Sequence, residues 1–446
     1  MTENKNTIAG FSKLSKQEKI HWVAKNFINK DTDLTLFLKD FSHSNEKIQH
    51  AIESFSENTI GNFPLPYSVA PNFLVNGKAY CVPMVIEESS VVAAAASAAK
   101  YWLTRGGFRT EVLSTTKIGQ VYFSWNGDFI QLLSVFSELK PALLAHAAPL
   151  TANMEKRGGG IKNIELLDAF ALEPHCYQLR VSFETCDSMG ANFINSVLED
   201  FGKTLINFVA THNLFHKKND IVTILMAILS NYTPDCLVRA SVECPVSDMG
   251  TLGASDVPLL AKKFHQAVRI AHLDPYRATT HNKGIFNGID AVVLATGNDF
   301  RAVEACGHAY AARDGQYKSL SNCSIENNIF RFWLDLPLSV GTVGGLTKLH
   351  PLAKLSLEML GNPSAKELMQ IIAAVGLAQN FSAVKSLVTT GIQSGHMKMH
   401  LTNMLLGLEA DAQESVLAMS HFENNTVSFS ALRAFLEHLR NKHPQL

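Results

Sequence analysis

No surplus of charge of either sign is present: 39 Lys and Arg face 40 Asp and Glu, for a net charge of -1 over 446 residues. A general basic field able to hold nucleic acid or an anionic membrane surface is thereby excluded, leaving only a local patch for such a role. Paired cysteines are lacking too. The seven stand at 81, 176, 186, 236, 244, 306 and 323 with no Cys-x-x-Cys, a pattern that suits free thiols in a reducing cytoplasm better than a disulfide framework or zinc site. The longest charge-free stretch, 58–77, is interrupted by three prolines and four asparagines and cannot be a spanning helix. The first ten residues are polar and mixed in charge, without the apolar core of a secretory signal, so a soluble protein is expected. The motifs G-x-G-x-x-G, G-x-x-x-x-G-K-[ST] and H-E-x-x-H are missing, which disfavours a standard dinucleotide fold, an NTPase phosphate loop and a zinc protease.

What is present is a chain rich enough in apolar residues, 46% against 18% charged, to bury large cores, and long enough for two or three domains. Ser15 and Glu18 form a capping box ahead of Ile20, Val23 and Phe27 at helical spacing. Glu87, Glu88, Ser89 and Ser90 precede the alanine-rich helical segment 91–99, where helix capping is their plainest role. Strand-like pieces follow at 118–124 and 177–184. In the latter Tyr177, Leu179, Val181 and Phe183 alternate with polar residues, as in an antiparallel sheet covered on one side. From about Leu225 the chain reads as helix-rich, with helices at 257–272 and 364–377 and an amphipathic terminal helix. The fold class is therefore α+β, a strand-rich domain inserted into a helix-rich one.

Three clusters carry chemical potential. Residues 187–192 connect a strand to a helix through Gly190, an arrangement that can seat a phosphate on free amides, although a tight turn alone accounts for it. Residues 274–284 and 296–301 are dense in Lys, Asn, Asp and Gly and flank an apolar segment, which suits a pocket and equally a solvated loop. His396 and His400 stand at i and i+4 without any further ligand at metal spacing, so no metal site is expected.

Taken in order, these segments resemble hydroxymethylglutaryl-CoA reductase of the soluble bacterial class. The matching stretches are 57–61, 83–90, 187–192, 274–290, 295–299, 340–345 and 395–397, and they span most of the chain. Departures are mild: Ser89 stands where the family commonly has proline, Phe286 where it has methionine and Phe300 where it has tryptophan, and the segment 192–231 is several residues longer. The resemblance implies a large domain over 1–112 and 226–391, an inserted cofactor-binding domain over 113–225, and a C-terminal flap over 392–446 that carries His396. It also implies a homodimer, or a multiple of one, with the active site between subunits, and a cytoplasmic location.

The activity implied is interconversion of hydroxymethylglutaryl-CoA with mevalonate and CoA, by two hydride transfers from NADPH or NADH. By motif match Lys283 is the cation beside the carbonyl, Glu88 the proton donor and acceptor, Asp299 the carboxylate linking them and His396 the acid for the departing thiolate. Arg277 and Ser90 would hold the substrate carboxylate, with Asn287 and Asn231 in the same pocket. Asp187, Met189, Gly190, Ala191 and Asn192 match the pyrophosphate turn. NADH-using relatives carry an acidic residue seven positions before the triple glycine 158–160. Here Thr151 stands there, with Lys156 and Arg157 close by, so NADPH is the favoured cofactor. A non-catalytic CoA-thioester-binding protein of the same fold is the alternative, and a metal-dependent hydrolase using His396 and His400 a weaker third.

Overall fold

The computed structural model describes residues 6–28, 32–169, 173–215, 221–250, 257–389, 401–402, 404–422, 425 and 427–442. His396 and His400, and with them the thiolate-acid and metal readings, lie outside the described residues. At the start Ser15 accepts from the Glu18 amide at 3.3 Å and Glu18 accepts from the Ser15 amide at 2.7 Å, the expected reciprocal cap of α1 (Lys16–Phe27). Helices α2 (Leu34–Lys39) and α3 (Glu46–Glu53) follow, capped by Asp33 and Asn45. An antiparallel hairpin, β1 (Tyr67–Val75) and β2 (Lys78–Val85), then leads through residues 86–90 into α4 (Val91–Leu103) and β3 (Arg109–Val112).

The inserted unit runs β4 (Lys117–Trp125), α5 (Phe129–Ser134), α6 (Phe136–Glu155), β5 (Gly160–Asp168), β6 (Cys176–Glu184), α7 (Ala191–Thr211) and β7 (Val222–Leu229). Its four strands form an antiparallel sheet in the order β5-β6-β4-β7. The alternation read in 177–184 has its physical cause here: Tyr177, Leu179, Val181 and Phe183 are buried in a core shared with Leu139 and Leu143 of α6 and Ile194, Leu198 and Phe201 of α7. Pairing of β7 with β4 continues to Leu229 opposite Gly119, so the sheet extends past residue 225, where the expected boundary cuts through a strand.

After Leu225 helices predominate, as expected, but they pack on a sheet the sequence did not signal. A second antiparallel sheet, ordered β3-β8-β10-β9, includes β8 (Leu237–Pro245), β9 (Ser321–Glu326) and β10 (Ile329–Pro337). In β8 the buried positions are Val238, Ala240, Val242 and Cys244, and the small Ala and Cys blunt the period-two signal. Helices α8 (Val257–Leu273), α9 (Pro275–Ala295) and α10 (Phe300–Ala311) lie between these strands, and α11 (Leu346–Leu349), α12 (Pro351–Met359) and α13 (Ala365–Val388) follow them. Helix α13 is long and apolar enough to cross a membrane, but 67% of its most apolar window is buried within the fold. It is the central helix of the large core, packed by α4, α8 and α9. Two terminal helices, Ala412–His421 and Phe429–Lys442, enclose a third, small core of Leu401, Leu405, Ala418, Phe422, Leu432 and Leu436.

Candidate active site

The segment 274–284 is no loop. Asp274 caps the Tyr276 amide at 2.9 Å, Pro275 occupies the first helical turn, and α9 continues unbroken to Ala295. The polar residues therefore sit on a rigid cylinder. Arg277, Thr280, Gly284 and Asn287, spaced by three and four, share one stripe of it, and with Lys283 they line a cavity of about 580 Å³ between α9, α4 and α13. Asn282 pins the helix: fully buried, it donates to the Lys318 carbonyl at 2.8 Å and accepts from the Leu320 amide at 3.0 Å.

Glu88 enters the cavity from the loop between β2 and α4. Its Oε2 accepts from Lys283 Nζ at 2.5 Å and from Asn287 Nδ2 at 3.2 Å, so the carboxylate binds the helix stripe instead of capping α4. The side chains of Lys283 and Glu88 keep 59% and 38% exposure, and a pair so open to water contributes only about 0–1 kcal/mol to stability. Its value is chemical: an ammonium and a carboxylate held in contact at an accessible cavity wall. Ser90 lines the same cavity in a left-handed backbone conformation, φ 71°, which a serine adopts only under constraint from its surroundings. Burial lowers the Arg277 guanidinium from its ordinary value without discharging it.

His281, on the buried side of α9, shares a hydrogen bond of 2.7 Å with Ser321 Oγ, which donates to Asn380 Oδ1 at 2.7 Å. Burial, with Arg277 next in effect, pushes its pKa down to about 3, so the ring stays neutral at physiological pH. Lys385 of α13 also lines the cavity, its Nζ 4.1 Å from the Tyr101 ring centroid.

Not every expected residue meets at this cavity within one chain. Asp299 caps α10, accepting from the Arg301 and Ala302 amides at 3.0 and 3.2 Å and pairing with the Arg301 side chain at 3.0 Å. Asn231 is exposed in the link between β7 and β8, outside the cavity lining.

The turn 187–192 forms a second locus, on the seam between the inserted and large domains. Gly190, at φ 91°, caps α7 with its backbone alone, and a Cβ there would lie 2.5 Å from Thr185 Cγ2. Residues beyond β10 hold Asp187: its carbonyl accepts from the Thr342 and Val343 amides at 2.9 and 3.3 Å and its carboxylate from the Ala365 amide at 2.8 Å. Gly341 comes so close that a Cβ would stand 2.5 Å from the Met189 amide nitrogen, and its own amide donates to Asn298 Oδ1 at 2.8 Å. The turn thus reaches the segment carrying Asp299. Met189 and Ala191 are partly buried and Asn192 is exposed. Thr151 is different: it is 1% exposed and its hydroxyl donates to the Ala148 carbonyl at 3.3 Å, so it turns into the domain. Lys156 and Arg157 are exposed.

Lys117, unnoticed in the sequence, is buried beneath this turn, donating to Thr185 and to the Ser188 carbonyl at 2.8 Å. Its signal was parity, since it falls in step with Gly119, Val121, Phe123 and Trp125 on the buried side of β4.

Fold and cavity together define an α+β protein with a lysine–glutamate pair and an arginine on one cavity wall and a glycine-cornered turn at the N-terminus of α7. Hydroxymethylglutaryl-coenzyme A reductase is the family whose profile matches, over residues 16–401. The chain is 34% identical to the 3-hydroxy-3-methylglutaryl-coenzyme A reductase of Archaeoglobus fulgidus over 442 residues, covering 97% of this chain and 95% of that protein. A probable reductase of the same type from Borreliella burgdorferi is 32% identical over 98% of both chains. The solved reductase of Streptococcus pneumoniae superimposes with a TM-score of 0.70 at 37% identity, over 97% of this chain and 100% of that one. A class II structure from the same organism, bound to NADPH in open conformations, matches at 38% identity and TM-score 0.70, over 86% of this chain and 100% of that one. The chain belongs to the hydroxymethylglutaryl-coenzyme A reductase family, and is an oxidoreductase that draws on a nicotinamide dinucleotide.

Proposed function

We propose that the chain interconverts 3-hydroxy-3-methylglutaryl-CoA with mevalonate and CoA, and that the cavity between α4, α9 and α13 is where the carbonyl reacts. The observation carrying this is the Lys283–Glu88 contact at 2.5 Å in a cavity that Arg277 also lines. Arg277 and Ser90 bind the substrate carboxylate. Lys283 stabilises the oxyanion formed at the carbonyl, and Glu88, steadied by Asn287, exchanges the proton. An inert thioester-binding protein would have no use for so exposed an ion pair.

Each dinucleotide supplies one hydride when bound, so two reduced dinucleotides serve each turnover. The turn 187–192 suits the pyrophosphate, because Gly190, in the left-handed region, opens α7 with no side chain capping its first amides. Preference for NADPH rests on Lys156 and Arg157, since the buried Thr151 is turned from the surface. A homodimer is part of the reading: Asp299, separate from Glu88 within one chain, reaches the pair from the second subunit. His396 serves as acid for the thiolate, no metal takes part, and seven free cysteines suit a cytoplasmic location. Incubating the purified protein with hydroxymethylglutaryl-CoA and NADPH and following dinucleotide absorbance tests the proposal. Steady consumption with mevalonate as product is expected, and no consumption with either NADPH or NADH would leave the thioester-binding alternative.

A further inference from the structure

Lys117 is 4% exposed, and its ammonium donates to Thr185 Oγ1 and to the Ser188 carbonyl, both neutral. Thr185 donates to the same carbonyl at 2.6 Å, so two side chains draw one oxygen of the turn inward. The carboxylates whose fields reach Lys117 are engaged elsewhere. Glu184 accepts from the Cys186 amide at 2.9 Å and from the Thr115 hydroxyl, and Asp187 accepts from the Ala365 amide at 2.8 Å. Burial drives the ammonium below its ordinary pKa, and the surrounding titratable groups, Cys236 and then Glu184, Cys186 and Asp187, oppose that. A buried cation whose hydrogen bonds end on neutral atoms is an unfavourable arrangement in the absence of an anion. At the N-terminus of α7 the first amides lack helical acceptors and no side chain caps them, the arrangement that favours an anion.

We infer that Lys117 is the positioning residue of the dinucleotide site: it holds the Ser188 carbonyl inward, and its buried charge is balanced by the dinucleotide's pyrophosphate. This rests on reading 187–192 as the pyrophosphate turn. Binding is measured directly, by titrating the whole protein with NADPH and following dinucleotide fluorescence without thioester. Lys117→Met raises Kd at least tenfold, about 1.4 kcal/mol, while KM for hydroxymethylglutaryl-CoA changes less than about twofold. Lys117→Arg restores most of the affinity. As pH rises toward the ordinary lysine value of 10.5 the wild type loses affinity, because burial lowers the pKa of the ammonium, whereas Lys117→Arg, which keeps its charge, loses less. Asn192→Ala, on the turn itself, separates the two layers of the argument. Unchanged Kd in Lys117→Met with weakened binding in Asn192→Ala overturns the role of Lys117, and unchanged Kd in both overturns the turn as the dinucleotide site. If Lys117→Met fails to fold, the pH comparison of wild type with Lys117→Arg decides, and parallel losses overturn the inference.

Discussion

At Lys283 the physical roles separate cleanly, because its ion pair with Glu88 is too exposed to matter much to folding yet sits at the cavity wall. Lys283→Ala is expected to lower kcat by about 10²–10³-fold while shifting the melting temperature by less than about 2 °C. Retention of more than about a tenth of kcat would remove Lys283 as the electrophile. His281 behaves oppositely. Its folded pKa of about 3 lies below the ordinary 6.5, so on acidification the unfolded chain takes up a proton that the folded one refuses. Stability attributable to this residue is intact above pH 6.5 and falls by about 1.4 kcal/mol per unit as pH drops toward 3. Denaturant titrations between about pH 6 and pH 4 should show a shallower acid loss in His281→Asn than in wild type. Equal slopes would mean that His281 titrates normally in the fold.

Among the elements, helix starts with complete capping signals were legible from sequence: Ser15/Glu18 and Ser364/Glu367 mark the beginnings of α1 and α13 to the residue, while α13 runs on past the expected 377 to Val388. The strand of 177–184 was legible because bulky residues alternate. Strand β8 was not, with Ala240 and Cys244 at buried positions, and α9 was hidden because Thr, His, Asn and Gly in its first half are weak helix formers that tertiary packing overrides. Of the site, the Glu88, Lys283 and Arg277 grouping was visible through the family resemblance. The burial of Thr151 was not, because it depends on the face of α6 that meets the sheet. The Gly341 contact is also invisible in sequence, being made between segments about 150 residues apart. Gly341→Ala places a Cβ 2.5 Å from the Met189 nitrogen and must push the turn away. Its kcat/KM for NADPH is expected to fall at least tenfold, and a loss confined to hydroxymethylglutaryl-CoA would contradict the placement of the cofactor.

For the whole molecule, the proposed homodimer, in which Asp299 meets Glu88 from the second subunit, would make activity a property of the assembly. Lys283→Ala and Asp299→Ala homodimers, each inactive, should regain about a quarter of wild-type activity after dissociation and mixing, since half the reassorted dimers hold one intact site. No recovery would place both residues in one subunit's site.

The small third core has a thermal consequence. Among the described residues, six buried ones close this unit, a nucleus much poorer than either large core, so its opening free energy is lower than theirs. Heating should therefore not give a single all-or-none transition. Hydrogen exchange over the helices Ala412–His421 and Phe429–Lys442 is expected to accelerate before that of α13. If the terminal unit delivers the thiolate acid, catalysis stops at temperatures where the sheets and the lysine–glutamate pair are still in place. The enzyme would then lose its activity on heating while keeping its fold, and cooling would restore it without any refolding of the two main domains.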